Sequence, residues 1–257
     1  MMMKRAFVLL LGVLVVCSTS YGAEEKPGDL TDPLEIVKKV DAAAKAVMSV
    51  KYDVVWEGLG EAASMTPKVQ ASVVASGLVG STPEKYFVDA KITLPGSSEP
   101  LRVTMGTDND MFFVIHHHTK TAYEDIDPAV MGNAGRFLRQ AWMIEYLHPT
   151  PFSDEINGKS RELRGSKTID GVDCYEVHVV YSVPAAPEAT WYFSKKDFLP
   201  RARIDTRTMP DGRKLASQKT VSNLVVAPKL DESAFKLKLP EGYKKTDDFA
   251  PDIGPTR

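Results

Sequence analysis

The sequence predicts an α+β protein built on one strongly curved antiparallel sheet of about ten strands, an unclosed half-barrel with helices covering its concave face. Three observations carry that expectation. Apolar and polar residues alternate with a period of two in successive runs between Val50 and Val226. The links between most of these runs are turn-forming and too short for crossover helices, so neighbouring runs pair as an antiparallel meander. Helical periodicity is confined to two stretches, Pro33 to Val47 and Ala134 to Leu147.

The first residues stand apart from that domain. Lys4 and Arg5 precede a continuous apolar run from Ala6 to Val16, and small and polar residues follow from Ser18 to Ala23. The run is too short to span a bilayer comfortably, and the order of regions is that of a secretory signal peptide over 1–22, followed by a linker over 23–32. The rival readings are an uncleaved anchor and a lipoprotein acylated at Cys17, where Val16 stands in place of the Gly or Ala that lipoprotein processing prefers. The expected location is therefore exported, periplasmic or in the cell envelope. Removing Lys4 and Arg5 takes the formal charge from −2 to about −4, a balance that does not invite nucleic acid. Cys174 is then the one cysteine left, so an internal disulfide is excluded and stability rests on burial of the core.

Asp32-Pro33-Leu34-Glu35 is a helix start, with Asp32 placed to cap, Pro33 suited to the first helical position and Glu35 in a capping-box position. Leu34, Val37, Val40, Ala44 and Val47 form its apolar stripe, and Lys38, Lys39, Asp41 and Lys45 its solvated face. Strand patterns follow over Val50 to Glu57, Val69 to Val79, Tyr86 to Leu94 and Leu101 to Met105, with turns at 80–83 and 95–98. Met111 to Ile115 and Thr121 to Ile126 read as a hairpin closed near His117 to Lys120. Ala134 to Leu147 reads as one broad-faced apolar helix ended by His148-Pro149. Arg161 to Ile169 then pairs with Cys174 to Tyr181 across Asp170-Gly171, and Arg201 to Thr208 pairs with Lys214 to Val226 across Asp211-Gly212. The domain is expected over 33–245, with a flexible tail over 246–257.

Gly171 to Arg203 is the most informative stretch. Tyr175, Val177, Val179 and Tyr181 fall on one side of the first strand, and Trp191 and Phe193 share a side of the second. Two large rings on one short strand require something apolar to receive them. The protein's own core and a bound lipid both meet that requirement.

The local patterns at Leu34 to Tyr52, Thr107 to Tyr123, Gly171 to Tyr181, Ala189 to Arg201 and Phe235 to Tyr243 together resemble the LolA-like family of periplasmic lipoprotein carriers, as a distant subgroup of these outer-membrane lipoprotein-sorting proteins. The resemblance implies a curled open sheet whose helix-covered concave face forms an apolar cavity for acyl chains. In this chain Trp56, Met105, Phe113, Trp191 and Phe193 would line it from strands, and Leu138 and Trp142 from a helical lid. The family's carriers hold the lid closed with an arginine on an early strand. No arginine lies between Pro33 and Leu101, so that element is missing or replaced.

Other chemistries are weaker. His116 and His118 share a strand face about 6–7 Å apart, close enough to share a zinc ion with Glu124 or Asp125 as a third ligand, but a polar hairpin end also tolerates histidines. Cys174 and His178 lie about 13 Å apart along one strand, beyond nucleophile–base contact. The acidic spots at 108–110 and 124–127 lack the ligand spacing of a calcium loop. The reading is a non-enzymatic exported protein with no catalytic residue, cofactor or metal site. It binds an apolar ligand, a lipid or lipoprotein acyl chains, with a membrane-bound donor or acceptor as a further partner and a monomer as the simplest state. The alternatives are an envelope interaction domain whose cavity is filled, and a metal-binding protein using the histidine run.

Overall fold

The computed structural model describes residues 29–77, 83–183 and 186–253. The expected signal peptide, Cys17 and most of the linker lie outside the described residues. Helix α1 (Pro33–Lys45) begins as its sequence dictates: Asp32 Oδ1 accepts from the Leu34 amide at 2.9 Å and Pro33 takes the first position. Ile36, Val37, Val40 and Ala44 are buried along one stripe. Asp41 corrects the expected solvated face. It is 8% exposed, and its carboxylate accepts from the Phe152 amide at 3.3 Å and from Lys45 Nζ at 2.6 Å.

Among the described residues twelve strands form one open, curved sheet: β1 (Ser49–Leu59), β2 (Lys68–Ser76), β3 (Lys85–Thr93), β4 (Leu101–Thr107), β5 (Phe112–His116), β6 (Thr121–Asp125), β7 (Ser160–Ile169), β8 (Val172–Val180), β9 (Glu188–Ser194), β10 (Pro200–Thr208), β11 (Lys214–Val226) and β12 (Lys244–Thr246). Their order is β12-β6-β5-β4-β3-β2-β1-β11-β10-β9-β8-β7. Two antiparallel meanders, β1 to β6 and β7 to β11, are therefore joined by the β1–β11 ladder, with Val54 opposite Val221 and Trp56 opposite Lys219. The expected α+β class and open curved sheet are observed; the strand missed in the sequence is β12, which pairs parallel to β6.

The concave face carries the core. Tyr52 and Val54 of β1, Val69 and Val73 of β2, Tyr86, Val88 and Ile92 of β3, Met105 of β4 and Val177 and Val179 of β8 are buried there with Trp191 and Phe193 of β9. The two rings stack at 5.5 Å, and Phe152 meets them edge-on at 5.2 and 5.4 Å. Phe152 comes from the segment between helices α2 (Ala134–Ala141) and α3 (Ser153–Ile156), and its amide is the one held by Asp41. The receiver of Trp191 and Phe193 is thus the protein's own core.

Two expectations change. The helix expected over Ala134 to Leu147 stops at Ala141; Trp142 is extended (φ −88°, ψ 134°) and a single 3-10 turn follows at Ile144–Tyr146. The Tyr52 hydroxyl causes the break, donating to the Ala141 carbonyl at 3.3 Å and accepting from the Met143 amide at 3.0 Å. A buried strand phenol thereby satisfies the two backbone groups that a continuing helix would have used. The segment expected as a loose tail docks as far as Ile253. Ala250 donates to the Val130 carbonyl at 2.9 Å, the Ile253 amide donates to Asn133 Oδ1 at 2.8 Å, and both side chains are buried.

Phe152 is fully buried between α1 and β9, so truncating it leaves a cavity that two stacked rings cannot collapse to fill. Phe152→Ala is expected to lower the unfolding free energy by about 3–5 kcal/mol, measured by urea denaturation with an unchanged m-value.

Candidate functional site

The side chains expected to line an apolar cavity divide into three groups. Met105, Leu138, Trp191 and Phe193 are buried in the concave core. Phe113 lies on the convex face, because it pairs with Gly106 while its neighbour Val114 pairs with Met105 on the concave face. There it sits 6.2 Å from Phe87 and covers Gly106, whose absent Cβ would lie 2.4 Å from the Phe113 ring. Trp56 and Trp142 are half-buried and line a cleft. The space between the sheet and the Trp142–Leu147 segment, bounded by Val50, Tyr52, Ala75 and Leu147, is only about 10 Å³.

The open cleft lies beside that segment, with a volume of about 880 Å³. Part of its lining is apolar: Trp56 of β1, Met65 and Pro67 before β2, Trp142, Met143 and Ile144 after α2, and Leu215 of β11. Interleaved with these are charged side chains, Arg203, Asp205 and Arg207 of β10, Lys219 of β11, Arg139 of α2 and Glu145. Cross-strand register explains the mixture. On the concave face Trp56 stands opposite Lys219, Lys219 opposite Arg203, and Arg203 opposite Trp191, so two cations lie between two indoles in one row. The Arg203 guanidinium stacks 4.7 Å above the Trp191 ring and bonds Asp205 at 2.7 Å and Glu145 at 3.4 Å. Burial works against its charge, but Asp205, Tyr181 and Glu145 outweigh it and hold its pKa above the ordinary arginine value.

Lys219 of β11 reaches the end of α2. Its ammonium donates to the carbonyls of Arg139, at 3.0 Å, and of Trp142, tying β11 to the C-terminal end of α2. Burial, with Arg203 adding to it, pushes the Lys219 pKa down to about 8. Sequence reading missed these charged side chains. On β10 the apolar Ala202 packs against Ile169, Cys174 and Tyr192 in a second cluster on the convex face, with Ile204 against it, which turns the charged positions inward. The overlooked signal was the pairing of Arg203 with Trp191.

A second cleft of about 470 Å³ shares Ile144, Glu145, Pro187 and Arg203 with the first. Glu155 and Tyr181 lie on its floor, the Tyr181 hydroxyl donating to Glu155 Oε1 at 2.6 Å and accepting from Trp191 Nε1 at 3.4 Å. Burial pushes the Glu155 pKa up, against the lowering effect of that hydrogen bond.

The three histidines separate instead of converging. His116 is fully buried on the concave face, 5.3 Å from Tyr123, with neither ring nitrogen hydrogen-bonded among the described residues. His117 turns to the convex face, where it meets Thr104 Oγ1 at 2.9 Å and the Tyr243 hydroxyl at 3.0 Å, and His118 is exposed. Glu124 pairs with Lys245, and Asp125 accepts from the Asp127 amide. Among the described residues no three His, Cys, Asp or Glu side chains are placed to hold a metal ion. Burial pushes the His116 pKa down to about 4, with His118 and His117 adding to it. Cys174 is buried in the convex cluster and burial pushes its pKa up to about 11; His178 bonds Thr190 instead.

No family model matches this sequence, and no curated protein does. Among solved structures the chain is similar to MucB, with a TM-score of 0.51 at 10% identity over 80% of this chain and 63% of that one. The chain thus spans less than two thirds of MucB, which has been solved from Pseudomonas aeruginosa together with MucA. LprF from Mycobacterium bovis matches at a TM-score of 0.48 and 14% identity over 82% of this chain and 97% of that one. The LolA superfamily protein NE2245 from Nitrosomonas europaea matches at 0.35 and 13% identity over 81% and 99%. These likenesses concern fold alone. The chain shares its fold with MucB at that level; in this chain it is an open sheet with helices on one face. No helix among the described residues is long and apolar enough to cross a membrane.

Two outcomes are expected from the buried ionisable groups. Between pH about 8 and the unfolded lysine value of 10.5, the unfolded chain keeps a Lys219 proton that the folded chain has released, so this group raises stability as pH rises. Wild type should gain stability relative to Lys219→Met across that window, and the variant should exchange its amides faster from Leu138 to Met143. His116 acts with the same sign in the acid range, because its folded pKa is also lowered. Its contribution is fully present above pH 6.5 and is lost as pH falls toward about 4, amounting to about 3 kcal/mol. His116→Phe should flatten that acid limb in thermal melts.

Proposed function

We propose that this protein is an exported, non-enzymatic carrier-type protein that binds a lipid or the acyl chains of a lipoprotein in the cleft beside Trp56 and Trp142. One observation carries the reading: an open cleft of about 880 Å³ whose apolar lining includes Trp56, Met65, Trp142, Met143 and Leu215. The driving force is removal of methylenes from water, about 0.8 kcal/mol each. The binding residues of this reading are Trp56 and Trp142. Met105, Leu138, Trp191 and Phe193 support the site from the core behind it, and Phe113 stands on the opposite face. Met65 and Met143 are adaptable contacts suited to chains of different shape. The likeness to LprF and to a LolA superfamily protein is one of fold and leaves the ligand to experiment.

A second reading, an envelope interaction domain, draws on the nearly closed space of about 10 Å³ beneath Trp142–Leu147. The chain's 3 tryptophans separate the two readings. Under the carrier reading, fatty acids brominated along the chain quench Trp56 and Trp142, while the buried Trp191 keeps its emission. Trp56→Phe/Trp142→Phe should lose most of the quenching. Purified protein that carries no co-extracted lipid and shows no quenching would overturn the carrier reading in favour of the interaction domain.

A further inference from the structure

The charge in the cleft is unbalanced. Two carboxylates line it, Glu145 and Asp205, and both are engaged by Arg203. Arg139, Arg207 and Lys219 line the same cleft, and none has a carboxylate at ion-pair distance among the described residues; Lys219 instead donates to backbone carbonyls. This cationic surplus occurs in a chain whose formal charge is −2. It is also extended, since Arg203 and Arg207 are four residues apart on β10 and so about 13 Å apart along the strand. Cations therefore run along β10 from the half-buried Arg203 to the exposed Arg207, in a cleft that Trp56, Met65 and Trp142 also line.

A cleft lined by both apolar and cationic side chains fits a molecule with both characters. We propose that the cleft selects an amphiphile with an anionic headgroup of the phosphate class, its acyl part against the two tryptophans and its headgroup held by Lys219, Arg139 and Arg207. This rests on the carrier reading above and deepens it. Arg139 and Arg207 are exposed and free to fold onto the headgroup as bidentate donors. Lys219, with a pKa pushed down to about 8, takes up a proton more readily once an anion is beside it. Binding near pH 8 should therefore be coupled to proton uptake.

The test uses the mature chain and three probes in titration calorimetry, each lipid below its micelle concentration: palmitoyl lysophosphatidic acid, palmitoylglycerol and inorganic phosphate. The expected result is that the lysophosphatidic acid binds at least about tenfold more tightly than the glycerol ester, an advantage that shrinks as salt is raised. Arg139→Gln/Arg207→Gln should remove most of that advantage, read as a much larger loss of affinity for lysophosphatidic acid than for palmitoylglycerol, in a protein whose thermal melt shows it folded. Equal affinity for the two lipids would overturn the headgroup assignment and leave the carrier reading standing. Inorganic phosphate binding as tightly as the lysophosphatidic acid would assign the cations to free anions and also overturn it. Failure of both lipids to bind would overturn the carrier reading and the inference with it.

Discussion

The structure depends on the ladder between β1 and β11. Each meander is a local product of its own turns, and the buried cluster that includes Trp191 and Tyr86 draws on both. Pairing Val54 with Val221 and Trp56 with Lys219 joins them into one sheet. It also brings a tryptophan from one meander beside the two cations of the other. This contact spans most of the domain in sequence, so its loop-closure entropy must be offset by the core that it creates. Helix α1 and the Phe152 segment then cover the β7–β9 side of that core, and α2 covers the β1–β4 side.

Placing cations on the inner face of a sheet is costly unless each has a partner. Three solutions are visible within one row and its borders. Arg203 has two carboxylates and an indole face, Lys219 has the open carbonyls at the end of α2, and Arg207 remains at the solvent-facing mouth. The helix end and the charged lining are therefore one arrangement. Tyr52 stops α2 at Ala141, which leaves carbonyls for Lys219 and opens the cleft beside Trp142.

Much of the fold was legible because it is encoded locally. Period-two alternation marked eleven of the strands, Asp170-Gly171 and Asp211-Gly212 marked their hairpins, and Asp32-Pro33 marked the start of α1. The site was less legible, for identifiable reasons. The apolar pattern of Ala134 to Leu147 is continuous, and nothing local in it encodes a tyrosine hydroxyl from β1 that ends the helix. Nothing local marks Arg203, Asp205 and Arg207 as inward-facing, since charged residues normally point outward, whereas Ala202 and Ile204 satisfy a second apolar cluster on the convex side. Phe113 was misassigned by one position, and in a strand one position changes the face. Asp41 and His116 are polar residues taken inward, Asp41 by the amide of Phe152 and His116 by the packing of Tyr123 and His118.

The two ends of the sheet differ in a way that bears on self-association. At one edge β12 offers three residues, two of them lysines, laid parallel along β6. At the other, β7 is long but is broken in register at Gly165, where φ is +119°, and carries Arg161, Arg164 and Lys167. A stack of copies joined strand to strand needs two long, straight, matching borders, and this sheet has none. The open architecture thus leaves its hydrogen-bonding rims exposed while denying them the repeat that fibril growth requires.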